Sequence, residues 1–481
     1  MTLNLQQTLS WTQSLAARTP DAAAELAMLN DLQGNILKGH GRNFTSNLFV
    51  AFDKNKQQAA KAFVASLAAD VTTALDQLTK TQVFKASGIS GGTFIAAMLS
   101  STGYDALGQT RAKPESAAFR AGMRTRDLKD PASSNWDDCF AQTVDAMVII
   151  AADSAAERDK ERTAMVARIT ATQGAVRVLN PKFKEDGNAL FNDDKNGIEH
   201  FGYVDGRSQP MALLEDVENE RNNHGGISAW DPSIPLSQLL VKCPGGNLEV
   251  SHGSFFVFRK LEQNVKGFKE REKLLGQQLE KRHEKQPDSI DGGANVVGRF
   301  ENGTPVVEPQ SKPPKARAVP VTGVPNNFNY SGDPSGLQCP FGGHIRKSNP
   351  RTDTPDSKTH LMARRGIPYG LRTDGPNDEQ IDNKPTGEVG LLFMAYQSNL
   401  ENQFEFAQQK WVNNAGFRNA GTGIDPLIGQ PKGPSGQKWV VDYGKSLSDG
   451  RNEDDFSGFV TMRGGEYFFA PSISFLKSLA H

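Results

Sequence analysis

Between residues 47 and 180 the sequence alternates short apolar runs with longer amphipathic segments, and this alternation constrains the fold more than any other feature. Strands are predicted at NLFVAFD (47–53), FIAAMLS (94–100), DAMVIIAAD (145–153) and AVRVLN (175–180). Helices are predicted at 55–79 and 154–172, where apolar residues recur at helical spacing, and a short helix at 104–108. This order of elements favours an α+β sandwich, with helices covering one face of a mainly antiparallel sheet.

A second set of similar elements follows in the C-terminal half. Strands are predicted at GSFFVFRKL (253–261) and GLLFMAY (390–396), and helices at about 262–285 and at 402–412. The stretches 181–235 and 286–340 are rich in glycine, proline and polar residues, and loops of such length usually line a functional site. We therefore predict two α+β halves, residues 1–235 and 236–481, although no sharp sequence repeat relates them.

Charge and hydropathy exclude several classes of protein. The 54 basic and 55 acidic residues cancel, so no overall field points to nucleic acid or an anionic membrane. No stretch approaches the roughly 18–20 apolar residues of a membrane span. The first 20 residues lack the basic start and apolar run of a secretion signal, so we expect a cytoplasmic protein. The three cysteines form no C-x-x-C pair, and we expect small buried side chains.

Among eight histidines, none belongs to a compact metal-binding pair such as H-E-x-x-H. His344 stands apart because of its surroundings, CPFGGHIRKSNPR (339–351). The two preceding glycines would let a bulky planar group approach the backbone. The basic residues Arg346, Lys347 and Arg351 would meet carboxylates of such a group. A lone histidine is, however, more often a surface residue or a hydrogen-bonded core residue than a ligand.

Two further segments carry residues suited to chemistry. In FGYVDGRSQP (201–210), Asp205 lies between Gly202 and Gly206, a context that also suits an aspartate bonding its own turn. In MARRGIPYG (362–370), two arginines precede a rigid turn. They are either solvated surface residues or fixed donors at the edge of a pocket.

Together these segments resemble the dye-decolourising peroxidases, a family of haem peroxidases. The resemblance rests on three motifs in the family's order: G-x-x-D-G at 202–206, C-P-F-x-x-H-I-R-K-x-N-P-R at 339–351 and R-R-G-I-P-Y-G at 364–370. Supporting segments include DLQGNILKGHGR (31–42), STGYDALG (101–108) and GLLFMAYQSNLENQFEF (390–406). The resemblance implies an α+β fold of two ferredoxin-like halves, each an antiparallel sheet with peripheral helices, enclosing one haem b per chain.

The resemblance also implies roles for single residues. His344 matches the axial ligand of the haem iron, and Asp205 matches the acid–base residue on the other side of the haem. Arg364 matches the arginine beside that aspartate, with Arg365 as an alternative. For the carboxylate behind the histidine we choose Asp425, in GTGIDPLIG.

Other residues are implied around the cofactor. Gly202 and Gly206 would let the aspartate loop lie flat against it, and Arg346 would meet its propionates. Leu391 and Phe393 alternate along a strand and resemble apolar wall residues. The implied partners are hydrogen peroxide and aromatic or dye reducing substrates. The oligomeric state stays open, with a homodimer as one alternative.

These residue types suit peroxide reduction. A neutral imidazole provides a permanent iron ligand, and a carboxylate behind it strengthens that ligand; Glu405 is a weaker alternative to Asp425 for this role. A single carboxylate can take one peroxide proton and return it to the departing oxygen. Because the reference pKa of aspartic acid is about 3.9, this base stays ionised in acid, so we expect activity at acidic pH.

The sequence also offers two rival functions and one further candidate site. Ser90 lies in GISGG (88–92), which matches the G-x-S-x-G motif of serine hydrolases, but the following segment is predicted as a strand where that motif requires a helix. A non-catalytic haem binder or an iron-releasing relative would need a ligand and a pocket, but no distal aspartate and arginine. The acidic run Glu453, Asp454 and Asp455 is either a manganese site or a solvated loop.

Overall fold

The structure is a computed structural model that describes residues 3–17, 19–246, 249–281, 291–307, 323–375, 380–430, 437, 439 and 456–480. The N-terminal part contains strands β1 (Phe44–Phe52), β2 (Phe94–Ser100), β3 (Ala146–Ala152) and β4 (Val176–Val178). Its helices are α1 (Trp11–Ala16), α2 (Pro20–Asp31), α3 (Gln57–Leu67), α4 (Ala74–Ser87), α5 (Ser101–Ala106), α6 (Ala117–Ala121), α7 (Asp138–Ala141), α8 (Ala155–Ala171) and α9 (Leu214–Asn223). The strands pair antiparallel in the order β4–β1–β3–β2, as in a ferredoxin-like sheet.

Helix caps show how the sequence sets these elements. Ser154 caps helix α8: its hydroxyl oxygen accepts the backbone N–H of Glu157 at 3.2 Å, and its hydroxyl group donates to the Glu157 carboxylate at 3.0 Å. The single helix predicted at 55–79 is wrong, because the chain forms α3 and α4 with a break between them. Thr73 caps α4, and the N–H of Thr72 donates to the carbonyl of Ile95, so the break is fixed by a neighbouring strand.

Short strands link the halves: β5 (Asp186–Asn188), β6 (Leu190–Phe191), β7 (Gly197–Ile198) and β8 (Val241–Lys242). The C-terminal half then has β9 (His252–Gln263), β10 (Ala363–Arg364), β11 (Ile367–Tyr369), β12 (Gly390–Gln397) and β13 (Val460–Ala470). Its helices are α10 (Val265–Lys281), α11 (Gly292–Val297), α12 (His344–Ser348) and α13 (Ile473–Ser478), with π-helical turns at Glu401–Glu405 and Ala407–Val412. The order β13–β9–β12–β11 repeats the strand order of the first half.

The two sheets join at both ends. Strand β2 pairs with β13, and β5 bridges β1 and β11, so the paired strands close into a ring. Aromatic side chains from both halves meet in the core: the Phe49 ring lies 4.8 Å from that of Phe258 and 6.3 Å from that of Phe468, between ring centroids. This contact shows that the two halves share one apolar core.

Several smaller predictions can be compared with this structure. Cys139, Cys243 and Cys339 are buried and form no disulfide, as expected. In the described part of the chain, no helix combines the length and the apolar character that a membrane crossing requires. The boundary between residues 235 and 236, the cytoplasmic location and the homodimer stay predictions.

Candidate active site

A cavity of about 590 Å³ lies among loops contributed by both halves. Its volume falls within the roughly 300–1,000 Å³ of small-molecule sites. Its lining includes Asp205, His344, Arg364, Leu391 and Phe393, residues that lie far apart in the sequence and that the motifs singled out. The structure therefore brings these residues to one cavity.

His344 is the first residue of the short helix α12, and Asp425 holds its imidazole. The Nδ1 atom lies 2.9 Å from the Asp425 carboxylate, which is fully buried. The other oxygen of Asp425 accepts the backbone N–H groups of Leu427 and Ile428 at 2.9 and 3.0 Å. Burial alone would lower the pKa of His344, but the charge and hydrogen bond of Asp425 outweigh burial and raise it. With Nδ1 engaged, Nε2 is the nitrogen left for a ligand bond.

Glu405, the alternative partner of this histidine, lies elsewhere. Both of its oxygens receive hydrogen bonds from Arg126, at 2.7 and 2.6 Å, and one also receives the hydroxyl of Tyr467 at 2.9 Å. Glu405 is therefore a structural carboxylate, and Asp425 is the one that contacts His344.

Asp205 lies on a tight loop whose backbone is fixed on both sides. Its N–H donates to the carbonyl of Gly197 at 3.0 Å, and Ile198 bridges Val204. Gly202 and Gly206 have φ angles of 94° and 75°, a region that disfavours other residues, so both are needed for the turn. Gly206 lines the cavity, whereas Gly202 shapes the loop behind it.

Arg364 is the arginine beside this aspartate. Its Nη1 atom lies 3.8 Å from Asp205 Oδ1, and the side chains are 33% and 38% exposed, which leaves both open to the cavity. The guanidinium also donates to the carbonyl of Ser208 at 3.0 Å. Arg365 lines the same cavity, but three backbone carbonyls, those of Asn35, Ile36 and Arg364, accept its donors. The structure therefore favours Arg364.

The prediction that Arg346 contacts the cofactor is corrected by the structure. The Arg346 side chain is 1% exposed and is not part of the cavity wall. All five of its N–H groups are engaged, with Asp333, Asp353 and the carbonyl of Cys339. Lys347 likewise donates to the carbonyls of Asn414 and Phe417, at 2.9 and 2.7 Å. Neither side chain lines the cavity.

The glycines before His344 also differ from expectation. A Cβ atom at Gly342 would lie 3.0 Å from the carbonyl oxygen of Thr422, and one at Gly343 would lie 3.1 Å from that of Pro340. Both therefore allow close contact between protein segments, and neither lines the cavity.

Three arginines lie in the cavity wall: Arg351, which the sequence predicted to meet carboxylates of a bound group, and Arg207 and Arg299, which it did not indicate. Burial, and then the charges of Arg299 and Arg207, lower the pKa of Arg351 to about 9. Glu220 pairs with Arg207 at 2.6 Å, while Arg351 donates to the oxygens of Asn326, Phe328 and Ser208. The available signal was the position of Arg207, directly after G-x-x-D-G.

These residues fit haem. Arg207, Arg299 and Arg351 bring three guanidinium groups to the cavity wall, and guanidinium groups suit the two propionates of haem. The hydroxyl of Tyr330, buried in the same wall, has no hydrogen-bond partner within the described residues and offers another donor. The Nε2 atom of His344 would provide the iron ligand, and Leu391 and Phe393 would provide apolar wall for the ring.

The hydrolase motif around Ser90 has no matching environment. Strand β2 follows the motif, as predicted. The hydroxyl group of Ser90 donates to the carboxylate of Asp153. No histidine hydrogen bonds to Ser90 in the part of the chain that the structure covers. The acidic run at residues 453–455 lies outside the described residues.

Known proteins that are similar to this chain are dye-decolourising peroxidases. The family model described as "Dyp-type peroxidase, C-terminal" matches residues 235–420. The multifunctional dye peroxidase DyP2 of Amycolatopsis sp. is 41% identical over the full length of both chains. Its solved structure superposes with a TM-score of 0.87, at 40% identity, covering 99% of this chain and 100% of that one. A DyP-type peroxidase of Anabaena sp. gives a TM-score of 0.85, at 37% identity and 99% coverage of each chain.

The similarity extends over both halves and over the segments that build the cavity, which confirms the fold of two ferredoxin-like halves and the haem cofactor. The chain belongs to the dye-decolourising peroxidases and is a haem peroxidase.

Proposed function

We propose that Asp205 and Arg364 carry out the proton and charge steps of peroxide reduction in this enzyme and that His344 would hold the haem iron. The observation that carries the proposal is the pairing of side chains around one cavity: His344 with Asp425 at 2.9 Å, and Asp205 with Arg364 at 3.8 Å. When bound, haem would supply the redox-active iron and the two electrons that break the O–O bond of peroxide.

The His344–Asp425 pair prepares the ligand. The Asp425 carboxylate accepts the Nδ1 proton, which fixes the tautomer and leaves Nε2 as a lone-pair donor. Because Asp425 is fully buried and anchored by two backbone N–H groups, the imidazole has one orientation. An anionic partner strengthens the donor character of the imidazole.

Asp205 moves the proton. As an ionised carboxylate, it accepts a proton from one peroxide oxygen and returns it to the other oxygen, which leaves as water. Arg364 stays cationic and stabilises the negative charge that develops on the departing oxygen. The carbonyl of Ser208, which accepts a hydrogen bond from Arg364, holds the guanidinium beside the aspartate.

The remaining wall residues would hold the cofactor. Arg207, Arg299 and Arg351 would bind its carboxylates, with Tyr330 as a further donor. Leu391 and Phe393 would exclude bulky molecules from the peroxide position. Aromatic and dye reductants, which the names of the relatives suggest, would therefore give up electrons at the surface rather than beside the iron.

The proposal is tested with haem-loaded protein by stopped-flow mixing with peroxide. Asp205→Ala and Arg364→Leu are each expected to lower the rate constant about 100-fold or more, while the Soret band is retained. His344→Ala is expected to change the Soret band itself. The matched control is Asp193→Ala, at an exposed turn, with a wild-type rate. A wild-type rate in Asp205→Ala would contradict the proposal, and a Soret band without turnover in the wild type would instead indicate a non-catalytic haem binder.

A further inference from the structure

Glu199 is a buried carboxyl group in the wall of the same cavity, on the loop that leads to Asp205, and the chemistry above does not use it. Its oxygens accept the backbone N–H groups of Phe201 at 2.8 Å and Tyr203 at 3.2 Å, and the side-chain amide of Gln263 at 2.5 Å. Its own backbone N–H donates to the carbonyl of Tyr203 at 3.2 Å. The Glu199 carboxyl group therefore closes the turn from which Asp205 projects.

The neutral form of Glu199 suits this environment. In the described part of the chain, no cation forms an ion pair with Glu199, which is 9% exposed. The Oε1 atom of Gln263 is buried without a hydrogen-bond partner among the described residues. Without a cationic partner, a buried carboxylate is disfavoured relative to the neutral acid, which supports the neutral form of Glu199.

Burial and, to a smaller extent, the charge of Asp205 raise the pKa of Glu199 to about 7, against three opposing hydrogen bonds. The cations on the elements around Glu199 do not compensate, because each is paired with another acid: Arg259 with Asp130, Lys269 with Glu272 and Glu301, and Arg372 with Asp374. His200, the next residue along the loop, has its pKa lowered to about 4 by burial and is neutral near pH 7.

We propose that Glu199 is a positioning residue for Asp205 that acts as a neutral carboxylic acid, and that its ionisation suppresses proton exchange at Asp205. The proposal rests on the proposed role of Asp205. An ionised Glu199 adds a second negative charge to one cavity wall. Asp205 would then hold its proton more tightly and return it more slowly, and the charge developing on the departing oxygen would be less stable.

The first experiment measures the second-order rate constant for peroxide with the haem-loaded enzyme by stopped flow, without reductant, from pH 5 to pH 9. If Glu199 must be neutral, the wild-type rate constant falls about tenfold between pH 6 and pH 8, as a one-proton limb. Glu199→Gln keeps a neutral side chain with an acceptor oxygen, so its rate constant should change less than twofold over this range. An unchanged alkaline limb in Glu199→Gln, or a uniform loss at every pH, would overturn the proposal.

Glu272→Gln is the matched control. Burial raises the pKa of Glu272 to about 7 as well, and Glu272 hydrogen bonds to the hydroxyl of Tyr203, but it does not line the cavity. This variant should keep the wild-type alkaline limb, and loss of the limb here would overturn the proposal. If Asp205→Ala has the wild-type rate, the proposed function has failed; if only the Glu199 variant behaves as the wild type does, this inference alone has failed.

A second variant guards against misfolding of the first. Gln263→Leu removes a hydrogen bond that lowers the pKa of Glu199, so the alkaline limb should move to higher pH.

A readout independent of activity is urea unfolding at pH 5 and pH 8. Because the pKa of Glu199 is higher in the folded than in the unfolded chain, the wild-type midpoint should fall at pH 8 relative to that of Glu199→Gln. An unmoved limb or a pH-independent difference in midpoint contradicts the proposal.

Discussion

Replacement of Arg346 by leucine separates a structural role from a cofactor-binding one. The guanidinium donates five hydrogen bonds, two of them to the Asp353 carboxylate at 2.7 and 3.1 Å. It also lies 4.4 Å from the ring centroids of both Tyr330 and Phe341. The carboxylates involved, Asp333 and Asp353, are 3% and 9% exposed, so leucine would leave both inside the protein without their cation.

The magnitude follows from what each carboxylate retains. Asp333 still accepts three backbone N–H groups, from residues 337 to 339, and stays largely satisfied. Asp353 loses the two hydrogen bonds that Arg346 donates to its carboxylate. Removal of one member of a buried ion pair typically costs about 3–5 kcal/mol. We therefore expect Arg346→Leu to lower the free energy of unfolding by about that amount.

The assay is equilibrium urea unfolding of the apoprotein and the haem-loaded protein, together with the rate of haem loss to an acceptor globin. Arg120→Leu is the control, because the Arg120–Glu115 pair spans 3.8 Å at the surface and should contribute less than about 1 kcal/mol. Since Arg346 does not line the cavity, haem loss from folded Arg346→Leu should stay within about twofold of the wild type. Rapid haem loss with unchanged apoprotein stability would refute the reasoning and restore the propionate role.

Three further predictions test other parts of the structure. Asp425→Asn removes the charge behind the axial imidazole and should weaken haem affinity about 10–100-fold in a reconstitution titration; unchanged affinity would contradict the ligand pair. Burial raises the pKa of Glu272 from 4.5 to about 7, so the wild-type protein loses stability as pH rises between these values. The free energy of unfolding of Glu272→Gln, measured in urea, should therefore rise by about 3 kcal/mol relative to that of the wild type between pH 4 and pH 8. A difference that does not depend on pH would contradict this. Gly103→Ala would place a Cβ atom 1.9 Å from a backbone oxygen beside strand β3 and should lower stability by about 1–3 kcal/mol, whereas Gly332→Ala, with open space around it, should be nearly neutral; equal effects would refute the packing argument.

The sequence determined the local elements well because their signals are local. The apolar run 145–153 predicted strand β3, and the helical spacing of apolar residues at 154–172 predicted α8. The predicted helix at 55–79 was wrong because its break depends on a hydrogen bond from Thr72 to a strand more than 20 residues away. Periodicity carries no information about such a bond.

The same distinction holds for the site. The motifs predicted His344, Asp205 and Arg364, and the structure brings all three to one cavity. Asp425, too, was chosen from sequence, but only its 2.9 Å contact with His344 separates it from Glu405.

By itself, the sequence determined the order of strands and helices, the family and the residue types that peroxide chemistry needs. It did not determine which basic side chain near His344 enters the cavity, because helix α12 and the turn after it direct neighbouring residues to different sides. Arg346 is directed to Asp333 and Asp353, whereas Arg351 joins Arg207 in the cavity wall. Only the tertiary structure decides this, since the direction of a side chain depends on which distant carboxylates the fold brings within hydrogen-bond distance.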